Sequence, residues 1–201
     1  MAPVNTNSVL VSRGSDAVIF DAWGVVDDWA RELDSRGVKL RAIYSTHGHG
    51  DHISAAPGLV QKYGVPWYMN AADVQLIPWG NNILEYFGLP AIGADAPRPV
   101  DIQAGKTTIL GDINMNVIGA PGHSAGGVMY HFPEFGVLIA GDTIFRDSVG
   151  RCDLPGGDET VLRETIHKIA TMNLPDNTYV VHGHGPDSSI EILSKTNPWF
   201  K

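Results

Sequence analysis

The sequence predicts an α+β fold in which one mixed sheet packs on another with helices on the outside. Three observations lead there. Short apolar strands come in runs instead of alternating one by one with helices, amphipathic helical segments break the runs in both halves, and turn residues punctuate the runs at short intervals. The 201 residues fit one large domain with a sizeable core, and a single domain over 1–201 is the expected organisation.

In chain order, residues 8–13 and 17–21 read as strands joined by a Gly14-Ser15-Asp16 turn. Asp27 or Asp28 is placed to cap a helix running to Arg36, with Gly37 as its left-handed stop. A strand at 38–44 follows, then a helix at 53–63 with Pro57 in its first turn and Gly64 closing it. Residues 66–69 form a short strand. Asn70 with Asp73 three residues on suggests a capped helix over 71–77, and 82–87 another helical turn. Residues 88–99 carry three prolines without periodicity and read as a rim or lid loop. A meander of strands is expected at 107–110, 114–118, 128–132 and 137–140. Asp158 caps a helix reaching Met172, 178–181 is a further strand, and Ser188 with Glu191 forms a capping box for a last helix ending before Asn197-Pro198.

A net charge of −8 with no basic block argues against nucleic acid or an anionic membrane surface as partner. One cysteine, Cys152, cannot form an internal disulfide. The N-terminal residues lack a basic segment followed by a long apolar one, and no apolar run approaches the ~20 residues of a membrane span. A cytoplasmic protein acting on a small molecule is expected. Oligomeric state is not legible.

The chemistry is concentrated at Ser45-Thr46-His47-Gly48-His49-Gly50-Asp51-His52, where four metal-capable side chains stand within six residues. Alternate residues of extended chain face the same side, so His47 and His49 can approach one ion together. Asp51 and His52, at the turn into the next helix, can face a second. Three later places share one context, an apolar strand ending in a glycine-flanked metal-capable residue. They are Pro121-Gly122-His123-Ser124, Gly141-Asp142-Thr143, and His182-Gly183-His184-Gly185-Pro186. Glycine there lets the backbone turn sharply and leaves room beside the ligand.

Together these segments resemble the metallo-β-lactamase superfamily in order and spacing, over nearly the whole chain. The resemblance implies an αββα sandwich with metals at one edge of two mixed sheets. It also implies that His47, His49 and His123 hold one ion, that Asp51, His52 and His184 hold the other, and that Asp142 bridges them. The stretch from Gly141 through Arg146 to Gly150-Arg151-Cys152-Asp153-Leu154-Pro155-Gly156-Gly157-Asp158 is similar to short bacterial glyoxalase II-like hydrolases, relatives of hydroxyacylglutathione hydrolase. Matching that loop puts Arg151 at a substrate-binding position, with Arg146 a further candidate. Two departures stand out. The family's proline before Gly-His-Gly-Pro is His182 here, which reads as a strand or supporting residue. The early Asp-Pro-Gly is Asp21-Ala22-Trp23-Gly24, whose Asp21 can orient a ligand histidine. His131 and His167 read as structural or surface residues. Of the aromatic residues Trp67, Trp79, Tyr86 and Phe87, any could line a substrate wall, although core positions are the commoner use.

Nitrogen and oxygen donors without thiolate suit zinc, iron or manganese, so donor type alone does not fix the metal; zinc is the first expectation. Two divalent ions sharing a water lower its pKa toward about 7, giving a nucleophile without serine or cysteine. The expected reaction is hydrolysis of a thioester, a glutathione thioester among the candidates, with Asp51 and Asp142 as the catalytic carboxylates. A mononuclear-iron persulfide dioxygenase is the alternative of a different class. Lactone, phosphodiester and β-lactam hydrolases remain within the superfamily.

Overall fold

A computed structural model describes residues 5–200. Two compact units divide the chain, one ending at Ile102 and the other starting at Gln103. The division falls just beyond the proline-containing loop at 88–99, which has no regular structure.

The first unit contains β1 (Val9–Arg13), β2 (Asp16–Phe20), α1 (Val26–Arg36), β3 (Lys39–Tyr44), α2 (Gly50–Ile53), α3 (Ala56–Tyr63), β4 (Trp67–Met69), a 3-10 turn at Ala71–Asp73, α4 (Leu76–Tyr86) and β5 (Val100–Asp101). Its strands form a mixed sheet in chain order. β1 pairs antiparallel with β2, and each later neighbour is parallel. Leu33 of α1 and Leu59 of α3 pack with Ile43, Trp67 and Met69 in one core cluster. Truncating either leucine to alanine should cost about 2–5 kcal/mol in transfer and cavity terms.

The second unit contains β6 (Gly105–Ile109), β7 (Ile113–Gly119), β8 (Val128–Phe132), β9 (Val137–Gly141), α5 (Glu159–Ala170), β10 (Tyr179–His182), β11 (Ser188–Ser189) and α6 (Ile190–Thr196). These strands make a second mixed sheet, antiparallel except between β9 and β10. Leu162 and Ile166 of α5 and Leu193 of α6 close on Ile118, Leu138 and Val180. The α+β class with two mixed sheets and flanking helices is as the sequence predicts. No helix among the described residues is long and apolar enough to cross a membrane.

Local expectations differ from the structure in four places. α1 starts at Val26 with Val25 as N-cap and no side-chain cap, so Asp27 and Asp28 sit in its first turn, where they oppose the helix dipole. The helix expected at 53–63 is split. Ser54 Oγ accepts from Gly24 N at 2.8 Å and donates to Gly24 O at 3.0 Å, while Ala55 N turns to Ala22 O at 2.9 Å, which diverts the chain between α2 and α3. α4 spans what read as two fragments, because Pro78 lies in its first turn, where no intrahelical N–H bond is required. Ser189, not Ser188, caps α6 by accepting from Ile192 N at 3.3 Å, and Ser188 pairs with Val180 in the sheet.

Candidate functional site

Every candidate ligand follows the C-terminal end of a strand. In the first unit β2 and β3 are parallel neighbours with Phe20 opposite Tyr44, so Asp21 and the Ser45–His52 run emerge side by side. In the second, β9 and β10 are parallel, and β7 runs in their direction because β8 reverses the chain twice. His123, Asp142 and His184 therefore leave one edge of that sheet.

Asp21 is the hub of the first set. It is buried, takes a left-handed backbone (φ 52°), and accepts three hydrogen bonds on its carboxylate. Thr46 N donates to Oδ1 at 2.7 Å, while Thr46 Oγ1 and His52 Nδ1 donate to Oδ2 at 2.8 and 2.9 Å. The consequences for the histidines follow from donor counting. Thr46 has one hydroxyl proton and gives it to the carboxylate, so toward His47 Nδ1, 3.0 Å away, it can only accept. That puts the His47 lone pair on Nε2. His52, donating through Nδ1, likewise has its lone pair on Nε2, the candidate ligand atom. His47 Nε2 and His49 Nδ1 stand 3.0 Å apart, close to the roughly 3.3 Å that two nitrogens at zinc-ligand distance in a tetrahedral shell would show. His52 Nε2 is 3.8 Å from Asp51 Oδ2. His47, His49, Asp51 and His52 are all buried.

Behind this run lies the segment from Asn70 to Gly80. Asp73, which read as part of a helix-capping pattern, instead accepts the Gly48 N–H on Oδ2 at 3.0 Å and is fully buried. No neighbouring residue signals this, since Asp73 lies 25 positions from Gly48. Trp79 of α4 places its ring 5.5 Å from that of His49. Trp67 is core, donating Nε1 to Ser45 Oγ at 2.9 Å. Phe87 meets Trp23 edge-on at 5.6 Å, and Tyr86 is exposed.

In the second unit Asp142 Oδ2 lies 3.7 Å from His123 Nε2 and 3.4 Å from His184 Nε2, so one carboxylate stands between two imidazoles. His123 Nδ1 donates to the Arg151 carbonyl at 2.8 Å, which leaves Nε2 as the candidate ligand atom. His184 is the most open of the set, its side chain 26% exposed. His182 is built differently. Buried, with Nδ1 2.6 Å from Ile144 O and Nε2 2.8 Å from Ser188 Oγ, it has both ring nitrogens engaged in tying β10 to β11 and to the loop after β9. Burial pushes its pKa down, against the pull of the Ile144 carbonyl. Burial also lowers the pKa of His131, which lies on β8, and His167 is exposed on α5.

The loop carrying Arg151 serves through its main chain. A side chain at Gly150 would put a Cβ 2.0 Å from Asp142 O and 2.7 Å from His123 Nδ1, so only glycine passes there. The Arg151 guanidinium points outward and grips Asp153 through two 2.7 Å bonds, holding that carboxyl down at about 2. Arg146 is half-buried. A cavity of ≈ 410 Å³ is lined by Ser148, Gly150, Arg151, Cys152, Glu159 and Trp199. Burial first, then Glu159, Asp153 and Asp158, push the Cys152 thiol up, which disfavours the thiolate a cysteine nucleophile needs.

Comparison with known proteins places these residues in context. The family model described as "Metallo-beta-lactamase superfamily" matches residues 1–184. The hydroxyacylglutathione hydrolase GloC of Haemophilus influenzae is 31% identical over 96% of this chain and 91% of its own length. The solved structure of BLEG-1, named a B3 metallo-beta-lactamase, is 33% identical with a TM-score of 0.87, covering 100% of this chain and 97% of that one. TTHA1623, solved in a di-iron-bound form, is 31% identical with a TM-score of 0.86 over 99% of this chain and 97% of that one.

Proposed function

Since the chain belongs to the metallo-β-lactamase superfamily, we propose that it is a metal-dependent hydrolase of thioesters, of glyoxalase II type, working with two divalent ions. His47, His49 and His123 would hold one ion, Asp51, His52 and His184 the other, and Asp142 would bridge. The observation that carries this reading is the Asp142 carboxylate set between His123 and His184. A carboxylate has two oxygens to share, and a donor set of imidazole and carboxylate without thiolate fits zinc, iron or manganese. Zinc is our first choice. The di-iron form of TTHA1623 makes iron the one to test beside it.

When bound, the ions would supply Lewis acidity and a water with its pKa lowered toward about 7. The chain's own residues do the rest. Asp21 and Thr46 fix the tautomers that present His47 and His52 through Nε2, and the Arg151 carbonyl does so for His123. Asp51, beside His52, would accept the proton of the attacking water. A thiolate departs without a strong acid, so no further proton donor is required. Arg151, exposed beside the cavity, is a candidate to meet an anionic portion of the substrate, with Arg146 the second. The GloC relative supports a glutathione thioester as that substrate.

The test is metal analysis joined to a substrate panel of S-lactoylglutathione, other thioesters, a lactone, a phosphodiester and a β-lactam, the last because of BLEG-1. Two ions per chain with thioester turnover lost on chelation is the expected result. One iron per chain with oxygen consumed on glutathione persulfide would replace this reading with the dioxygenase, and full turnover in metal-stripped protein would exclude both.

A further inference from the structure

We infer that Asp73 is a positioning residue for metal binding, holding His47 and His49 at their spacing by accepting the N–H of the glycine between them. Its carboxylate is fully buried, yet it lies outside every motif that marks the metal ligands. The bond from Gly48 N is 3.0 Å. A buried carboxylate is costly to keep unless it is hydrogen-bonded, so this interaction answers a need on both sides.

The surroundings make Asp73 a fixed point. Its own N–H bonds Asn70 O at 3.1 Å, Asn70 Nδ2 bonds Ile102 O at 3.1 Å, and Ala71 N bonds Asp101 Oδ1 at 2.8 Å. The turn is thereby tied to β5 at the edge of the sheet. The same segment presses on the ligand run twice. A Cβ at Gly48 would fall 2.6 Å from Asp73 O, and one at Gly50 would fall 2.5 Å from Gly80 O. Neither glycine has a positive φ. Their role is to let one backbone lie directly on another, and Asp73 supplies the polar bond in that contact. Trp79 then packs beside His49 on the same side. The peptide linking two ligands is thus held from behind, at Gly48 and at Gly50.

The inference rests on the metal-binding part of the proposed function and not on its hydrolytic part. The experiment titrates zinc into metal-stripped wild type, D73A and D73N against a chromophoric chelator, and records the ligand-field spectrum of the cobalt-loaded proteins. D73A should bind zinc about 10–100-fold more weakly, the range for removing a group that orients a ligand, with a changed cobalt spectrum and an unchanged circular dichroism spectrum. D73N keeps an oxygen that can accept from Gly48 and should recover most of the affinity. D73A with wild-type affinity, or a folded D73N as weak as D73A, would overturn the inference. If D73A does not fold, D73N decides: near wild-type affinity supports the role and a large loss refutes it. A wild type that takes up no metal would instead sink the metal reading itself.

Discussion

In the first unit four candidate ligands arrive on one six-residue run, His47 to His52, whereas in the second each of three ligands ends a different strand. The two arrangements use glycine for different physical reasons. Around His123, Asp142 and His184 the glycines at 122, 141 and 185 have φ of 126°, 52° and 74°, conformations that side-chain-bearing residues avoid. They turn the chain so that a residue just past a strand can face the sheet edge. Gly48 and Gly50 are not left-handed. They are small because another segment lies on them. A helix also braces the second set. α5 lies so close to Gly122 that a Cβ there would fall 2.4 Å from Leu162 Cα, and Thr165 Oγ1 donates to Pro121 O at 2.7 Å. A contiguous ligand run thus depends on what packs behind it, and dispersed ligands depend on how each loop turns.

The strongest challenge to this comparison is to remove one ligand from each side. H49A and D142A should each abolish metal uptake and turnover, measured as metal per chain after dialysis and as initial rate. If only one does, the two sets do not serve a common centre. Next come the glycines. G50A forces a Cβ into the Gly80 carbonyl, an overpacking cost of about 1–3 kcal/mol delivered beside two ligands, and should lower both thermal stability and zinc affinity. G185A meets open space and only the left-handed penalty, about 1–2 kcal/mol, so its melting temperature should fall while zinc affinity drops less than in G50A. The reverse pattern would break the distinction drawn between the two kinds of glycine.

A finer probe is T46V, which keeps shape but removes the hydroxyl between His47 Nδ1 and Asp21. Zinc affinity should fall by about tenfold or more through the lost tautomer preference, read by chelator competition, and an unchanged affinity would dismiss that role. The smallest effect is expected from R151A. Its guanidinium is exposed and paired with Asp153, while its carbonyl holds His123. Melting temperature and metal content should stay as in wild type, and KM for an anionic glutathione thioester should rise with kcat kept. An unchanged KM would remove Arg151 from the substrate site.

Much of the architecture was legible because it rests on local chemistry. Gly37 and Gly64 end their helices in left-handed conformation, and Asp158 caps α5 through Val161 N, as their positions suggest. The legible signals failed where a distant segment competed for the backbone. Ser54 and Ala55 bond the 22–24 segment and split a helix, and α4 runs through Gly80 because that glycine meets Gly50. Of the candidate site, residue types and order could be read. Their protonation and support could not.

Sequence by itself determined the candidate donors, their order along the chain and the family, because imidazole and carboxylate chemistry and strand-end spacing are written in neighbouring residues. Tertiary structure alone decided which nitrogen each histidine presents, that His182 has both nitrogens occupied, and that Asp73 stands behind Gly48. The reason is physical. A tautomer is set by whichever donor or acceptor lies about 3 Å from the ring, and for His52, His123 and His182 that partner lies far off in sequence and is near only in the fold.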